Sequence, residues 1–193
     1  MSHDHFPLHD VASAPDARQA FDQAEQAFGM VPNLIRKMAS APPLAEGYLA
    51  LNGLLQQTSF SPVEQGVLLL TVSRYHECDY CMAAHSMTGR MTGVPDAVIA
   101  ALREDRPIDD PKLEALRRFT RAMIEHRGWV DEATQQAFLD AGYNPPQMLE
   151  VILAIAMKTL SNYTNHIAGT PVDEPMAGER WTAPESPQEH PHE

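Results

Sequence analysis

The chain has 193 residues, 44% of them hydrophobic, and a formal net charge of −12. This length is enough for one domain that buries its own core. The negative charge repels phosphate backbones, and no basic cluster is longer than Arg117-Arg118, which argues against nucleic-acid binding. The sequence contains neither a signal-peptide pattern at its start nor a run of roughly 18 apolar residues. We therefore expect a cytoplasmic protein with no membrane partner.

Helix signals recur along the first half of the chain, whereas strand signals are scarce. Ser61-Pro62-Val63-Glu64 combines an N-cap serine, a proline at the first helical position and a capping-box glutamate. This motif predicts a helix that ends near Tyr75 or His76. Shorter helices in this half are predicted at about 16–28, 32–40, 43–57, 79–92 and 95–103, separated by glycine and proline.

The second half carries the same signals. Asp110-Pro111 opens a helix that continues to about Gly128, and a shorter helix follows at about 131–141. Asn144-Pro145-Pro146-Gln147 opens a third long helix, whose start is apolar nearly all round and which we therefore expect to be central. The chain is predicted to be all-α.

The two ends differ in composition from the middle. We predict a flexible N-terminal segment at 1–15, a compact helical domain at 16–175 and a disordered tail at 176–193, because the tail is rich in proline, acidic and small residues. Histidines near the ends are expected to be solvated rather than to bind metal; they are His3, His5, His9, His190 and His192.

A shift of 83 residues aligns two segments of the chain. Ser61-Pro62 then falls on Asn144-Pro145, and the pair Cys78 and Cys81 falls on Ser161 and Thr164. The alignment suggests a duplicated helical unit, and shared capping rules alone are the alternative explanation. In a true repeat, the second copy has hydroxyls where the first has thiols.

The only two cysteines lie in Cys78-Asp79-Tyr80-Cys81, and His85 follows. On a helix these offsets place Cys78, Cys81 and His85 on one face. Cys78 lies where a helix should begin, and oriented backbone N–H groups there favour a thiolate. His85 is close enough to exchange a proton or form an ion pair with either sulfur. The motif predicts a dithiol that cycles through a disulfide, with an external dithiol to reopen it.

Two other interpretations of the cysteines remain open. A C-x-x-C pair can be half of a zinc site, with His85, His76, His126 or His166 as further ligands, although these histidines show no ligand-like spacing. The cysteines can also be inert buried thiols, because cysteine is among the most buried residue types.

Residues 61–85, SPVEQGVLLLTVSRYHECDYCMAAH, resemble the carboxymuconolactone decarboxylase superfamily, and specifically its alkylhydroperoxidase D-like branch. The segment 162–173 is similar to the end of the core in that family, so the resemblance spans about 20–175. It implies an all-helical domain, for which a duplicated helical unit is one interpretation, and a homo-oligomer that is a dimer, trimer or hexamer.

The resemblance also implies roles for the site residues. Cys81 corresponds to the cysteine that attacks the peroxide, Cys78 to its disulfide partner, and His85 to the histidine of the proton relay. It implies a hydroperoxide substrate and a dithiol or lipoylated-protein reductant, with no cofactor and no metal.

The chain departs from the family pattern at two positions. The relay glutamate of the family falls on Gly66, and the histidine often found between the cysteines is Tyr80. Glu64 is no substitute, because two residues turn a helical side chain by roughly 200°, so the carboxylate is missing. Candidates to replace this carboxylate are His76, Glu77, and His166 with Asn165.

The function expected from these observations is a thiol oxidoreductase that reduces hydroperoxides through Cys78 and Cys81. A redox sensor without turnover and a metal-binding module that uses the same cysteines are the alternatives. A cofactor-free decarboxylase is disfavoured, because that branch of the family does not depend on a cysteine pair.

Overall fold

The computed structural model describes residues 5–183 and contains no strand within them. The fold is therefore all-α, as predicted. The helices in chain order are α1 Arg18–Phe28, α2 Asn33–Met38, α3 Pro42–Leu55, α4 Pro62–Tyr75, α5 Asp79–Met91, α6 Asp96–Arg103, α7 Pro111–Glu125, α8 Glu132–Asp140 and α9 Pro145–Ala168, with short 3-10 turns at Pro15–Ala17 and Glu174–Glu179.

Both predicted capping boxes are present at the starts of α4 and α9. Ser61 Oγ accepts from the backbone N–H of Glu64, and the Glu64 carboxylate accepts from the N–H of Ser61. Asn144 and Gln147 make the same reciprocal pair at the start of α9. These bonds satisfy backbone donors that a helix N-terminus otherwise leaves unpaired, which is why local sequence locates the two starts well.

Helix α4 lies at the centre of the molecule and packs against α5, α6, α7 and α9. Its side chains are buried on most sides, including Val67, Leu68 and Leu70. The helix after Asn144 was also predicted to be central, and α9 does pack against α2, α3, α4, α5 and α7. It is not buried on all sides, however, because one face is open and Leu149 on it is 69% exposed.

The 83-residue offset relates the starts of α4 and α9 but not their continuations. Helix α4 ends at Tyr75, and Cys78 is the N-cap of the next helix, α5. The corresponding Ser161 lies inside α9, which runs without interruption for 24 residues. The second segment therefore has the same kind of capping box as the first but lacks the interruption that separates α4 from α5.

The packed chain extends beyond the predicted domain 16–175. On the N-terminal side, His9 pairs with Ser13 and Ser40 instead of being solvated, and its backbone N–H donates to Arg36. On the C-terminal side, Met176 is buried and the Trp181 indole donates to the Arg103 carbonyl. The described parts of both predicted end segments are thus held by contacts with the helices.

Residues 1–4 and 184–193, which include His3, His190 and His192, lie outside the described part of the chain. Within the described part, none of the helices is both long enough and apolar enough to cross a membrane.

Candidate active site

The two cysteines lie at a tight connection between α4 and α5. His76 ends α4, Glu77 has a left-handed backbone with φ of 54°, and Cys78 is the N-cap of α5. This turn directs the first turn of α5 back toward the core, so Cys78 is 0% and Cys81 2% exposed. Both are free thiols in this structure.

Helix α9 supplies the opposite wall of the site. Asn165 Nδ2 lies 3.1 Å from Cys81 Sγ and 3.7 Å from Cys78 Sγ, so a single amide bridges both sulfurs. Ser161 Oγ lies 4.0 Å from Cys81 Sγ. The first and last segments of the predicted repeat therefore face each other across the thiols.

His85 lies one turn beyond Cys81 and is partly exposed. Its hydrogen-bond partner in the described chain is Lys158 of α9, at 2.7 Å between Nζ and Nε2. Burial and the charge of Lys158 hold the pKa of His85 well below its usual range. The imidazole that accepts from Lys158 is neutral, so it cannot form an ion pair with a thiolate. The predicted ion pair between His85 and a sulfur is therefore not formed.

The two thiols differ strongly in acidity. Burial pushes the pKa of Cys81 upward, but the Cys78 thiol, the charge of Lys158 and the amides of Asn165 and Asn162 outweigh it and lower this pKa to about 5. Hydrogen bonding to Cys81 and burial raise the pKa of Cys78. Because the pair is coupled, one proton leaves readily and the other is retained. The first site to ionise is Cys81.

His76 lies at the edge of the site and reaches it through Asn162. His76 Nδ1 is 3.0 Å from Asn162 Oδ1, and burial together with this contact and nearby charges lowers the pKa of His76. Asn162 Nδ2 is buried and has no partner in hydrogen-bond geometry, although its dipole still favours the Cys81 thiolate. The site thus contains an unused donor beside the sulfur.

The other proposed relay residues lie away from the thiols. Glu77 pairs with Arg74 at 3.8 Å and is 45% exposed. His166 is exposed and stacks on Tyr163 with 6.4 Å between ring centroids. Neither contacts a sulfur among the described residues.

Tyr80, between the cysteines, is a buried packing residue. Its hydroxyl donates to Asp173 Oδ2 at 2.5 Å, and Asp173 also accepts from the backbone N–H of Asn33. Burial and the Asp173 carboxylate raise the pKa of Tyr80. The tyrosine therefore fixes the C-terminal segment to α5 and is no acid-base group of the site.

Lys158 and Asn162 were not singled out from the sequence, and Ser161 was noted only as the counterpart of Cys78 under the 83-residue offset. Together with Asn165 they recur at intervals of three and four residues, so they form one polar stripe on an otherwise apolar helix. A buried polar stripe of this kind signals that the helix faces polar groups elsewhere in the fold. Among residues 5–183, no group of three or more His, Cys, Asp or Glu side chains is arranged to hold a metal ion.

The profile of the carboxymuconolactone decarboxylase family matches residues 42–122, a stretch that includes both cysteines and His85. No curated protein matches the sequence.

Several solved structures share the fold. A peroxidase-related protein from Ralstonia eutropha JMP134, described as an alkylhydroperoxidase AhpD core, superposes with a TM-score of 0.77 at 20% identity, over 89% of this chain and 93% of that one. The debrominase Bmp8, in complex with 2,3,4-tribromopyrrole, gives 0.74 at 20% identity over 90% and 94%. A peroxidase-related protein from Silicibacter sp. TM1040 gives 0.74 at 19% identity over 91% and 93%. The family profile thus matches residues 42–122, and the chain has the fold of the alkylhydroperoxidase D core.

Proposed function

We propose that the protein is a thiol oxidoreductase that reduces hydroperoxides by cycling Cys78 and Cys81 between dithiol and disulfide. The observation that carries the proposal is the shared contact of Asn165 Nδ2 with both sulfurs, at 3.1 and 3.7 Å. An amide N–H stabilises an anionic sulfur, and a second thiol within reach of the same amide can close a disulfide with the first.

The cycle assigns a separate step to each cysteine. The Cys81 thiolate attacks a hydroperoxide oxygen, so that an S–O bond forms, the O–O bond breaks, and the leaving alkoxide takes a proton from water. Cys78 then attacks the sulfenic sulfur; the S–S bond forms, and hydroxide leaves with the Cys78 proton as water. An external dithiol reduces this disulfide by exchange and becomes a disulfide itself. The neutral His85 holds the Lys158 ammonium at the site through its hydrogen bond.

The lowered pKa of Cys81 supports its role as the attacking group, because the thiolate is the nucleophile. The raised pKa of Cys78 supports its role as the second thiol, which keeps its proton until it attacks. The family resemblance supports a lipoyl-type dithiol as the reductant.

We also propose that the protein assembles with copies of itself through the open face of α9. The exposed residues of this helix include no Asp, Glu, Lys or Arg; they are Pro145, Pro146, Leu149, Ile152, Ala156, Tyr163, His166 and Ile167. A second copy of a chain with net charge −12 is repelled by the rest of the surface, so an uncharged apolar face is where two copies can approach.

The test measures hydroperoxide consumption with dihydrolipoamide as reductant, for wild type, Cys81→Ser and Cys78→Ser. We expect turnover by wild type and none by Cys81→Ser, with Cys78→Ser limited to a single sulfenic acid per chain. Equal consumption by wild type and Cys81→Ser for every hydroperoxide tried would refute the proposal. Oxidation to the disulfide without turnover would instead indicate a redox sensor.

The same panel should include 2,3,4-tribromopyrrole with bromide release as the readout, since one structural neighbour is a debrominase. Cysteine-dependent bromide release without peroxide consumption would show that the substrate is a brominated pyrrole and not a hydroperoxide.

A further inference from the structure

Lys158 is a fully buried lysine without a carboxylate partner. It is 0% exposed, and within residues 5–183 no Asp or Glu oxygen forms an ion pair with its Nζ. Its hydrogen bond goes to His85 Nε2. A buried charge that has no counter-charge strongly destabilises a fold. The fold therefore has to supply an anion from some other group.

His85 cannot supply or share that charge. An ammonium group has three donors and no acceptor, so Nζ donates and His85 Nε2 accepts. The imidazole is thus neutral, and its own proton lies on Nδ1. Of the other groups that line this part of the site, Ser161, Asn162 and Asn165 are neutral at any ordinary pH. The groups that can become anionic within reach of the Lys158 charge are the thiols of Cys81 and Cys78, and the first proton of the pair leaves from Cys81. Burial raises the pKa of Tyr48 and lowers the pKa of His76, so both of these neighbours stay neutral.

We propose that Lys158 is the counter-ion of the Cys81 thiolate and that this pairing biases the cysteine pair toward its reduced state. The proposal rests on the proposed function, in which the pair is a reversible dithiol. When the disulfide forms, Cys81 loses its negative charge and Lys158 remains buried without an anion. Reduction restores the ion pair. The oxidised state is therefore penalised, and the disulfide is a strong oxidant for an incoming dithiol, as in other proteins whose reduced form is stabilised.

The pairing also fixes the number of protons taken up on reduction. The disulfide accepts two electrons and one proton to give the Cys81 thiolate and the Cys78 thiol, whereas an ordinary dithiol accepts two electrons and two protons. Exchange with dithiothreitol, which stays fully protonated near neutral pH, then releases one proton into solution. The equilibrium constant for reduction of the protein rises tenfold for each pH unit.

The experiment measures this equilibrium with dithiothreitol between about pH 6 and pH 8, a range set by the ordinary thiol pKa of the reductant, using the wild-type protein and Lys158→Met. We expect the tenfold dependence per pH unit for wild type and a weaker dependence for Lys158→Met, in which Cys81 holds its proton to higher pH. At pH 7 the variant should also be harder to reduce by about tenfold or more. Lys112→Met, which removes a lysine that is 48% exposed, is the matched control and should behave like wild type.

A wild-type equilibrium that does not change with pH would overturn the proposal, and this measurement needs no variant to fold. Identical constants for wild type and Lys158→Met at every pH would overturn it as well. In Lys158→Met the Cys81 thiolate can take up a proton, so the substitution need not leave an unpaired charge in the core, and Lys158→Gln provides a second neutral side chain. None of these readouts requires peroxide turnover, so failure of the proposed substrate leaves the counter-ion result intact.

Discussion

The side chain of Val94 occupies the space into which any side chain at Gly66 would project. A Cβ built on Gly66 would lie 2.5 Å from Val94 Cγ2, closer than real Cβ contacts come. Val94 precedes α6 and is itself buried, so it has little freedom to move aside. The position that carries the relay glutamate in the family is thus closed to a carboxylate by packing between α4 and the α5–α6 connection.

Gly66→Glu should therefore destabilise the protein rather than restore a relay. We expect a loss of about 1–3 kcal/mol in the free energy of unfolding, typical of overpacking in a core. Denaturant unfolding measures this loss. In a double-mutant cycle, Gly66→Glu should cost about 1 kcal/mol less when Val94 is also replaced by Ala, because the two side chains share one space. Additive effects of the two substitutions would show that the clash is relieved elsewhere.

The bond between Asn165 and Cys81 should control the acidity of the reactive thiol. Asn165→Ala removes a donor to a charged sulfur, worth about 1.5 kcal/mol or more, so the pKa of Cys81 should rise by about one unit. Titration of the ultraviolet thiolate absorbance measures the shift. Ser161→Ala is the matched control, because its 4.0 Å contact is too long to matter. Superimposable titrations of Asn165→Ala and wild type would contradict the assignment.

The stability of the reduced protein should fall as the pH is lowered from about 8.5 toward 7, a window that starts at the ordinary thiol pKa. The pKa of Cys81 is depressed to about 5 in the folded state, so the unfolded chain binds more protons in this window and stability rises with pH. A difference of one bound proton between the unfolded and folded states changes the free energy of unfolding by at most about 1.4 kcal/mol per pH unit. Denaturant unfolding of wild type and Lys158→Met measures this slope, which should be smaller in the variant, because Cys81 then holds its proton to higher pH in the folded state. Equal slopes for wild type and Lys158→Met would show that the Lys158 charge does not lower the pKa of Cys81.

A charge on the open face of α9 should weaken self-association. Leu149 is 69% exposed in the single chain, and in Leu149→Glu a carboxylate would have to be buried between two copies, which is unfavourable without a partner. Sedimentation should give a multiple of 21.4 kDa for wild type and a smaller mass for the variant. Met91→Glu, at a position 77% exposed on α5, should leave the mass unchanged. A wild-type monomer at all concentrations would rule out this interface.

The sequence predicted best what depends on neighbouring residues. The starts of α4 and α9 follow from the capping boxes at Ser61 and Asn144, where a few adjacent side chains satisfy the backbone donors. The end of α4 at Tyr75 was confirmed for the same local reason. The burial of α9 was not predicted correctly, because apolar composition does not say which face a neighbouring helix covers.

The candidate site was predictable only on the α5 side. The spacing of Cys78, Cys81 and His85 predicts that they share one face of a helix; in the structure the two thiols meet at the Asn165 amide, and His85 bonds to Lys158. Lys158 lies 73 residues from His85 along the chain, and no local pattern connects the two. A lysine in a helix is usually solvated, so its burial against an imidazole is a property of the tertiary fold.

The contact between Ser161 and Cys81 has a consequence for the fidelity of disulfide formation. Under the 83-residue offset Ser161 takes the place of Cys78, and its Oγ lies 4.0 Å from the Cys81 sulfur. A thiol at that position would offer Cys81 a rival partner and join α5 to α9, while Cys78 stayed unpaired. A hydroxyl forms no such bond. In the proposed cycle, the serine at 161 thus leaves Cys78 as the disulfide partner of the oxidised Cys81. Oxidation then does not join α5 to α9 covalently.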